Sequence, residues 1–556
     1  MILLPAPRKL QRAEGFLKTS TPPTVSIGPS TGHAQGYILR ITPHAAAIAA
    51  DDPAGAFYAK QTLAQLQRQF PSELPCLTIE DWPDFPTRGL MLDISRDKVP
   101  TMPTLFAIID QLAELKINQL QLYTEHTFAY RNHPIVWKDA SPITADEIRR
   151  LDAYCRERFI DLVPNQNSFG HLERWFKHPQ YRDLAEAPDG FTFPWGNRIE
   201  SGFSLNPLDP RSIEFIESLY DELLPNFSSK LFNVGCDETF DIGQGRSKNE
   251  VAQHGRERVY LDFLLKIAEA VKRRGKTMMF WGDIILNQPQ LLSELPRYTI
   301  ALNWGYEADH PFEKETRAFR DAGLPFYVCP GTSSWCSITG RTDNAIANLK
   351  NAAEHGLKYG AIGYLNTDWG DRGHLQYWPI SLLGIAAGAA YAWCYQANRN
   401  LSLIDALNLH IFRDRAKIMG QLVYDLGNVH QAMQQIKNGT ALFWTLIGDE
   451  QNKTAGTTLE EFIAAENRID SAVAPLDRAQ MNRADAELIR DELRNAAAML
   501  KYACHRGRHL RGDDRINRDS LLNEQKAIIA SHRRLWLARN RPGGLIDSIA
   551  RLKQST

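Results

Sequence analysis

Apolar positions in the first eighty residues follow two different periods. Tyr37, Leu39 and Ile41 alternate with polar residues, the period of a half-buried strand. Ala59, Leu63, Leu66 and Phe70 recur every three or four residues, which is one face of a helix. The run Asp81-Trp82-Pro83-Asp84-Phe85-Pro86 then punctuates the chain with two prolines. A small α+β unit over residues 1–83 is the expectation.

Eight short apolar runs follow. They begin at Arg88, Ile117, Asp161, Ser229, Lys276, Tyr298, Leu324 and Tyr359. Helical patterns separate most of them; Leu261, Leu264, Leu265, Ala268 and Val271 form the clearest stripe. Only the connection between the fifth and sixth runs is short and weakly helical. Alternating strand and helix implies a parallel sheet with right-handed crossovers. Eight repeats predict an α/β (β/α)8 TIM barrel over residues 84–396, with an open doubly wound sheet as the alternative of similar content. From residue 397 to 556 the pattern is helical throughout, as in Asp485–Cys504 and Leu521–Leu537, and no strand is expected. The longest apolar stretch, Ile380–Trp393, falls short of the roughly 20 residues of a membrane span and reads as a buried helix.

Charge narrows the function. Lys plus Arg is 64 and Asp plus Glu is 65, for a net charge of −1, which argues against a general nucleic-acid binder. The seven cysteines are scattered without a CxxC pair, so neither a zinc cage nor a disulfide framework is indicated. The N-terminus lacks the pattern of a signal peptide. A cytoplasmic protein is the expectation, with no metal, no cofactor, no nucleic acid and no membrane; the oligomeric state stays open. Neither GxxxxGK[ST] nor a strand-linked GxGxxG is present.

Active sites of (β/α)8 barrels lie at the C-terminal ends of the strands. The residues just after the eight runs include Arg96, Glu125, His126, His171, Asp237, Glu238, Trp281, Asp283, Trp304, Tyr306, Glu307, Trp335, Asp368, Trp369 and Asp371. Carboxylates move protons and bind hydroxyls, and flat indoles pack against sugar rings, so a carbohydrate is the indicated partner. The sharpest feature is Gly235-Cys236-Asp237-Glu238. Two carboxyl groups in one pocket drive their proton affinities apart, so that one can serve as an acid. Ser333 and Ser334 lack a GxSxG setting, and Arg341 and Asp343 read as a helix start with Asp343 as its cap.

At these motifs the chain resembles glycoside hydrolase family 20, the β-N-acetylhexosaminidases, over roughly residues 36–395. Asp93 to Arg96 is similar to the family's D-x-S-R. Val163-Pro164 through Gly170-His171 resembles its third-strand segment. Asn233 to Glu238 resembles H-x-G-G-D-E, and Trp369-Gly370-Asp371 resembles W-G-E. The segment Gln61–Leu66 is similar to the small domain that precedes the family's barrel. The resemblance implies exo-acting hydrolysis of terminal β-linked GlcNAc or GalNAc by a retaining mechanism in which the substrate's 2-acetamido group is the nucleophile. It implies Glu238 as general acid and Asp237 as the anion that holds the acetamido group. Arg96 and Asp371 would bind ring hydroxyls, Trp281, Trp304 and Trp369 would line the pocket, and His171 would support the carboxylates.

Several positions depart from the family pattern. Asn233 stands for His, Cys236 for Gly, Asn165 and Asn167 for Glu and Asp, and Asp371 for Glu. The seventh strand lacks Y-L-D, which leaves the tyrosine that steadies the oxazolinium unassigned; Tyr306 is a candidate by position, and Tyr364 is an echo inside the eighth run. Trp335 follows the seventh run and is a further candidate for the sugar site. These departures indicate a divergent, non-secreted branch. Two other readings remain open: a retaining glycosidase with a protein nucleophile, Glu125 or Glu307, and a sugar-binding protein without catalysis.

Overall fold

The computed structural model describes residues 1–553 apart from 19–21, 97 and 449–452. Five strands, Lys9–Lys18, Thr24–Ile27, Tyr37–Ile41, Ala46–Ala50 and Glu73–Asp81, form one sheet in the order first, fifth, third, fourth, second. The alternation seen in the sequence buries Tyr37, Leu39 and Ile41 against helix Pro53–Gln69 through Ala59, Leu63 and Leu66. Asp52 caps that helix by accepting from Gly55 N at 2.8 Å, with Pro53 in its first turn.

All eight apolar runs form parallel strands: Thr87–Asp93, Gln119–Tyr123, Asp161–Val163, Leu231–Asn233, Thr277–Trp281, Ile300–Trp304, Phe326–Cys329 and Gly363–Asp368. The eighth pairs with the first, so the sheet curls into a barrel. The third and fourth strands, three residues each, do not form a ladder. The ring is joined there by a bridge between Asn165 and Asn233, with Asn233 N donating to Pro164 O and Gln166 N to Asn233 O, both at 3.0 Å. The weak fifth connection contains only short 3₁₀ turns, Ile285–Asn287 and Pro289–Glu294. The helix Trp378–Trp393 is buried along nearly its whole length because it is sandwiched between the barrel and the C-terminal helices. Among the described residues no helix is long and apolar enough to cross a membrane.

Beyond residue 397 the chain is helical, and its apolar side chains, Phe462, Leu493 and Leu500 among them, belong to the same continuous core as the barrel. One expectation fails here. A small hairpin pairs Gln435–Ile436 with Gly439–Thr440. Its turn is carried by Asn438 at φ +52°, a conformation that asparagine tolerates, followed by Gly439. Asp343 also is not a cap: it lies within the first turn of Thr342–Tyr359 and accepts from Tyr424, Asn428 and Gln431 of the C-terminal part.

Asp81 ties the small unit to the barrel. Its buried carboxylate accepts from Tyr37 Oη at 2.8 Å, Trp393 Nε1 at 2.9 Å and Arg8 N at 2.9 Å, and lies 3.2 Å from Lys116 Nζ. Removing one partner of a buried ion pair strands the other. Asp81→Ala is therefore expected to cost about 3–5 kcal/mol of unfolding free energy in a denaturant titration; a change below about 1 kcal/mol would contradict this role.

Candidate active site

Each barrel strand ends in a turn that aims its chemistry inward. After the first strand, Asp93 Oδ1 accepts from Ser95 N at 2.9 Å and Arg96 N at 3.0 Å, while Oδ2 accepts from Gly370 N at 2.9 Å. One carboxylate thus folds the Arg96 turn and fastens it to the loop that carries Asp371. The Arg96 guanidinium lies 3.1 Å from Glu125, 3.6 Å from Asp93 and 3.9 Å from Asp371, and within about 5 Å of the rings of both Tyr123 and Trp369.

The fourth-strand turn is conformationally unusual. Gly235, Cys236 and Glu238 have φ of +68°, +71° and +52°, and His171 opposite has +57°. A Cβ on Gly235 would lie 2.6 Å from the Asn167 side chain, so this close approach requires glycine. Cys236 holds a left-handed backbone without being glycine, a strain of the kind that persists where surrounding contacts over-determine it. Those contacts are specific. Asn167 Oδ1 accepts from Cys236 N at 3.2 Å, and Asn167 Nδ2 donates to Asp237 Oδ1 at 3.1 Å and to Tyr123 Oη at 3.2 Å. Behind it, Asn165 and Asn233 both donate to Gln121 Oε1. The departures at 165, 167 and 233 together form an uncharged amide scaffold.

All ten sequence-predicted site residues line one cavity of about 300 Å³: Arg96, His171, Asp237, Glu238, Trp281, Trp304, Tyr306, Trp335, Trp369 and Asp371. The His171 ring sits between carboxylates, with Nε2 at 3.4 Å from both Asp237 and Glu238 and Nδ1 at 3.8 Å from Glu125. Trp281 is buried and packs at a tilt on Trp369, whose Nε1 donates to Tyr306 Oη at 2.8 Å. Trp304 stacks on Tyr306 and donates to Asp283 at 3.3 Å. Tyr364 points outward and donates to Leu349 O, and Asp368 is occupied by Thr332, Ser334 and Ser381, so neither belongs to the cavity.

Three features around this cavity were assigned no role from the sequence. Asn167 holds Asp237. Asp283 lies against the acid turn, accepting from Glu238 N at 3.3 Å. Lys437 and Asn438 reach the cavity from the C-terminal hairpin. That hairpin is latched to the barrel: Asn438 N donates to Glu307 Oε1 at 2.7 Å, Trp335 Nε1 to Asn438 Oδ1 at 3.0 Å, and Arg341 pairs with Glu307 Oε2 at 3.0 Å. The Asn438-Gly439 pair was the legible signal for the turn; its destination was not legible.

Burial and charge sort these carboxyl groups. Burial raises Glu125 to about 7 against the pull of Arg96 and His171. Burial, then the charges of Asp237 and Glu238, raise Asp283 to about 8. Asp237 feels the same burial, but the His171 charge, its hydrogen bond and the Asn167 amide outweigh it and hold the group below its ordinary value. His171 is correspondingly held well above the ordinary imidazole range, the Asp237 and Glu238 contacts overcoming its burial. Near neutrality the cavity therefore has an anionic Asp237 against a cationic His171, beside a neutral Asp283. Such an arrangement can stabilise positive charge developing on a bound group and pass a proton across its rim.

Comparisons with known proteins bear on the family and the fold. The family profile described as "Glycosyl hydrolase family 20, catalytic domain" matches residues 85–334, and that described as "Glycosyl hydrolase family 20, domain 2" matches residues 12–82. A beta-hexosaminidase of Akkermansia muciniphila is 28% identical over 280 residues, covering 44% of this chain and 55% of that protein. A beta-hexosaminidase of Porphyromonas gingivalis is 26% identical over 287 residues, covering 45% and 36%. The chain thus spans about half or less of the length of these curated relatives. Among solved structures, the Flavobacterium johnsoniae chitobiase superposes with a TM-score of 0.59 at 16% identity, over 96% of this chain and 99% of that one.

A carboxyl group raised on folding stabilises the fold below its unfolded value, and that contribution is lost as pH rises through the folded value. Asp283 should therefore weaken the fold progressively between the ordinary carboxylate range, 3.8, and about 8. Asp283→Asn removes the titration. Melting temperatures measured from pH 5 to 8 should diverge in favour of the variant as pH rises; parallel curves would contradict a neutral Asp283.

Proposed function

The chain belongs to glycoside hydrolase family 20, and from that premise we propose that it is an exo-acting β-N-acetylhexosaminidase that works by substrate assistance. A terminal β-linked N-acetylhexosamine occupies the cavity. Arg96 and Asp371 bind its ring hydroxyls, and Trp281, Trp304, Trp335 and Trp369 enclose the ring and the acetamido methyl. Asp237 accepts the acetamido N–H and Tyr306 donates to the acetamido oxygen. That oxygen attacks the anomeric carbon. The glycosidic bond breaks, and the departing oxygen takes the Glu238 proton. The positive oxazolinium lies against the Asp237 carboxylate, where a fixed anion in a water-poor site is most effective. Glu238 then takes a proton from water, which attacks the anomeric carbon from the face the aglycone left. The acetamido group is restored with net retention.

One observation carries this reading. Asp237 lines the sugar cavity alone, whereas Glu238 lines both that cavity and the larger cleft beyond it. The two carboxylates therefore divide between the acetamido side and the leaving-group side of the bond. A protein nucleophile is disfavoured by the state of the two candidates. Glu125 is tied up by Tyr123 and Arg96, and Glu307 by Asn438 and Arg341. The seven buried, unpaired cysteines fit a reducing compartment, and we assign the protein to the cytoplasm.

The test is hydrolysis of 4-nitrophenyl β-GlcNAc, β-GalNAc, β-Glc and β-Gal side by side. Release from the acetamido sugars alone supports the mechanism. Equal release from β-Glc or β-Gal overturns it. On an unactivated disaccharide, Glu238→Gln should lower kcat by about 10²–10⁴-fold, with a smaller loss on nitrophenyl glycosides, whose leaving group needs little protonation. Unchanged disaccharide turnover would remove Glu238 from the role of acid.

A further inference from the structure

Beyond the sugar cavity, and continuous with it past Glu238 and Asp371, lies an open cleft of about 1140 Å³. Segments far apart in sequence supply its walls: the long loop after the third strand, the turn after the eighth, and the C-terminal helix Leu545–Lys553. They bring Lys177, Arg198, Arg372 and Arg551 to the cleft, joined by Lys437 and Lys453, against the acidic Glu125, Glu173, Glu238, Asp371 and Asp547. In a chain whose net charge is −1 this is a local concentration of cations. Some of it is compensated: Arg174 pairs with Asp547 and Arg198 with Glu200, each at 2.9 Å. Lys177, Arg372 and Arg551 make no ion pair among the described residues. Arg551 is half-buried, and after burial the largest influence that weakens its proton affinity is Arg372. These cations repel one another, and an anion placed among them would relieve that repulsion.

The same cleft has an aromatic wall. Trp195 is 59% exposed, stacks on Phe193 at 4.7 Å and meets Phe240 edge-on at 5.2 Å. Phe193, Trp195 and Phe240 all line the cleft, on the side onto which Glu238 opens. A large flat ring left in water beside a leaving-group channel is suited to the apolar face of a second sugar.

We infer that this cleft holds the aglycone, and that it selects a sugar bearing an anionic substituent, a carboxylate or a sulfate ester, next to the terminal N-acetylhexosamine. The inference rests on the hydrolase reading above. Trp195 packs the aglycone ring, Glu238 protonates the bridging oxygen, and Lys177, Arg372 and Arg551 neutralise the substituent.

The test measures kcat/KM on three disaccharides that share a terminal β-N-acetylglucosamine, with a neutral, a uronic-acid or a sulfated second sugar. At about 20 mM salt at least one acidic aglycone should be favoured by about tenfold, and the advantage should shrink towards parity at about 500 mM. The better of the two distinguishes carboxylate from sulfate. In the double variant Arg372→Ala/Arg551→Ala the acidic-to-neutral ratio should fall towards one. If the wild type cleaves the neutral disaccharide at least as well as both acidic ones at low salt, the inference is overturned while the hydrolase reading stands. If none is cleaved, the hydrolase reading fails, and calorimetric binding of the same disaccharides decides the cleft: preference for an acidic one supports it, and equal affinities overturn it.

Discussion

Six carboxyl groups, Asp93, Glu125, Asp237, Glu238, Asp283 and Asp371, gather around Arg96 and His171 at the mouth of the barrel. Asp93, Glu125 and Asp237 are buried, while Glu238 and Asp371 are about a third exposed. So many negative charges held close together are costly, because each added anion raises the cost of the next. The resolution is a division of labour. Arg96 takes the contacts of Glu125, Asp93 and Asp371, and His171 is drawn to Asp237 and Glu238. Asp283 and Glu125 hold their protons to about 8 and about 7. Asp237, with an imidazolium on one side and an amide on the other, is held below its ordinary value and stays anionic. The anion available to a bound group in the cavity is thus selected by its neighbours and not by its own identity as an aspartate.

The departures from the family pattern follow the same constraint. Asn165, Asn167 and Asn233, with Gln121, supply donors and acceptors at the third and fourth strands without adding formal charge. An acid at 167, as in the family pattern, would set a second carboxylate directly against Asp237. Asn167 instead donates to Asp237 and fixes Cys236 N, so one amide shapes the strained turn and biases its charge. The second cost, a left-handed Cys236 and Glu238, is met by packing: Tyr260 Oη donates to Cys236 O at 2.9 Å, and Asp283 accepts from Glu238 N.

Much of this was legible in the sequence because it is local. Strand period and crossover spacing located eight strands, and the residue after each strand end, together with the family resemblance, located ten cavity-lining side chains. What was not legible depends on contacts between distant segments. The Lys437–Asn438 hairpin sits in a stretch that reads as helical, and nothing near residue 437 reports that Glu307 and Trp335 await it. Asp283 was visible after the fifth strand, but its significance comes from the proximity of Asp237 and Glu238, which only the folded barrel creates. Asp343 looked like a cap because the cap rule is local; it is drawn instead to Tyr424, Asn428 and Gln431, which follow it by more than eighty residues.

The central claim is that an anionic Asp237 stabilises a cationic intermediate made by the substrate's own acetamido group. Affinity for a stable cyclic thiazoline analogue of that intermediate tests it most directly, measured by calorimetry on the wild type and on Asp237→Asn. Tight binding by the wild type with a loss of about a hundredfold or more in the variant is the predicted result, since the analogue reports interactions made in the transition state. Equal affinity in the two proteins, or no binding by the wild type, would contradict the account.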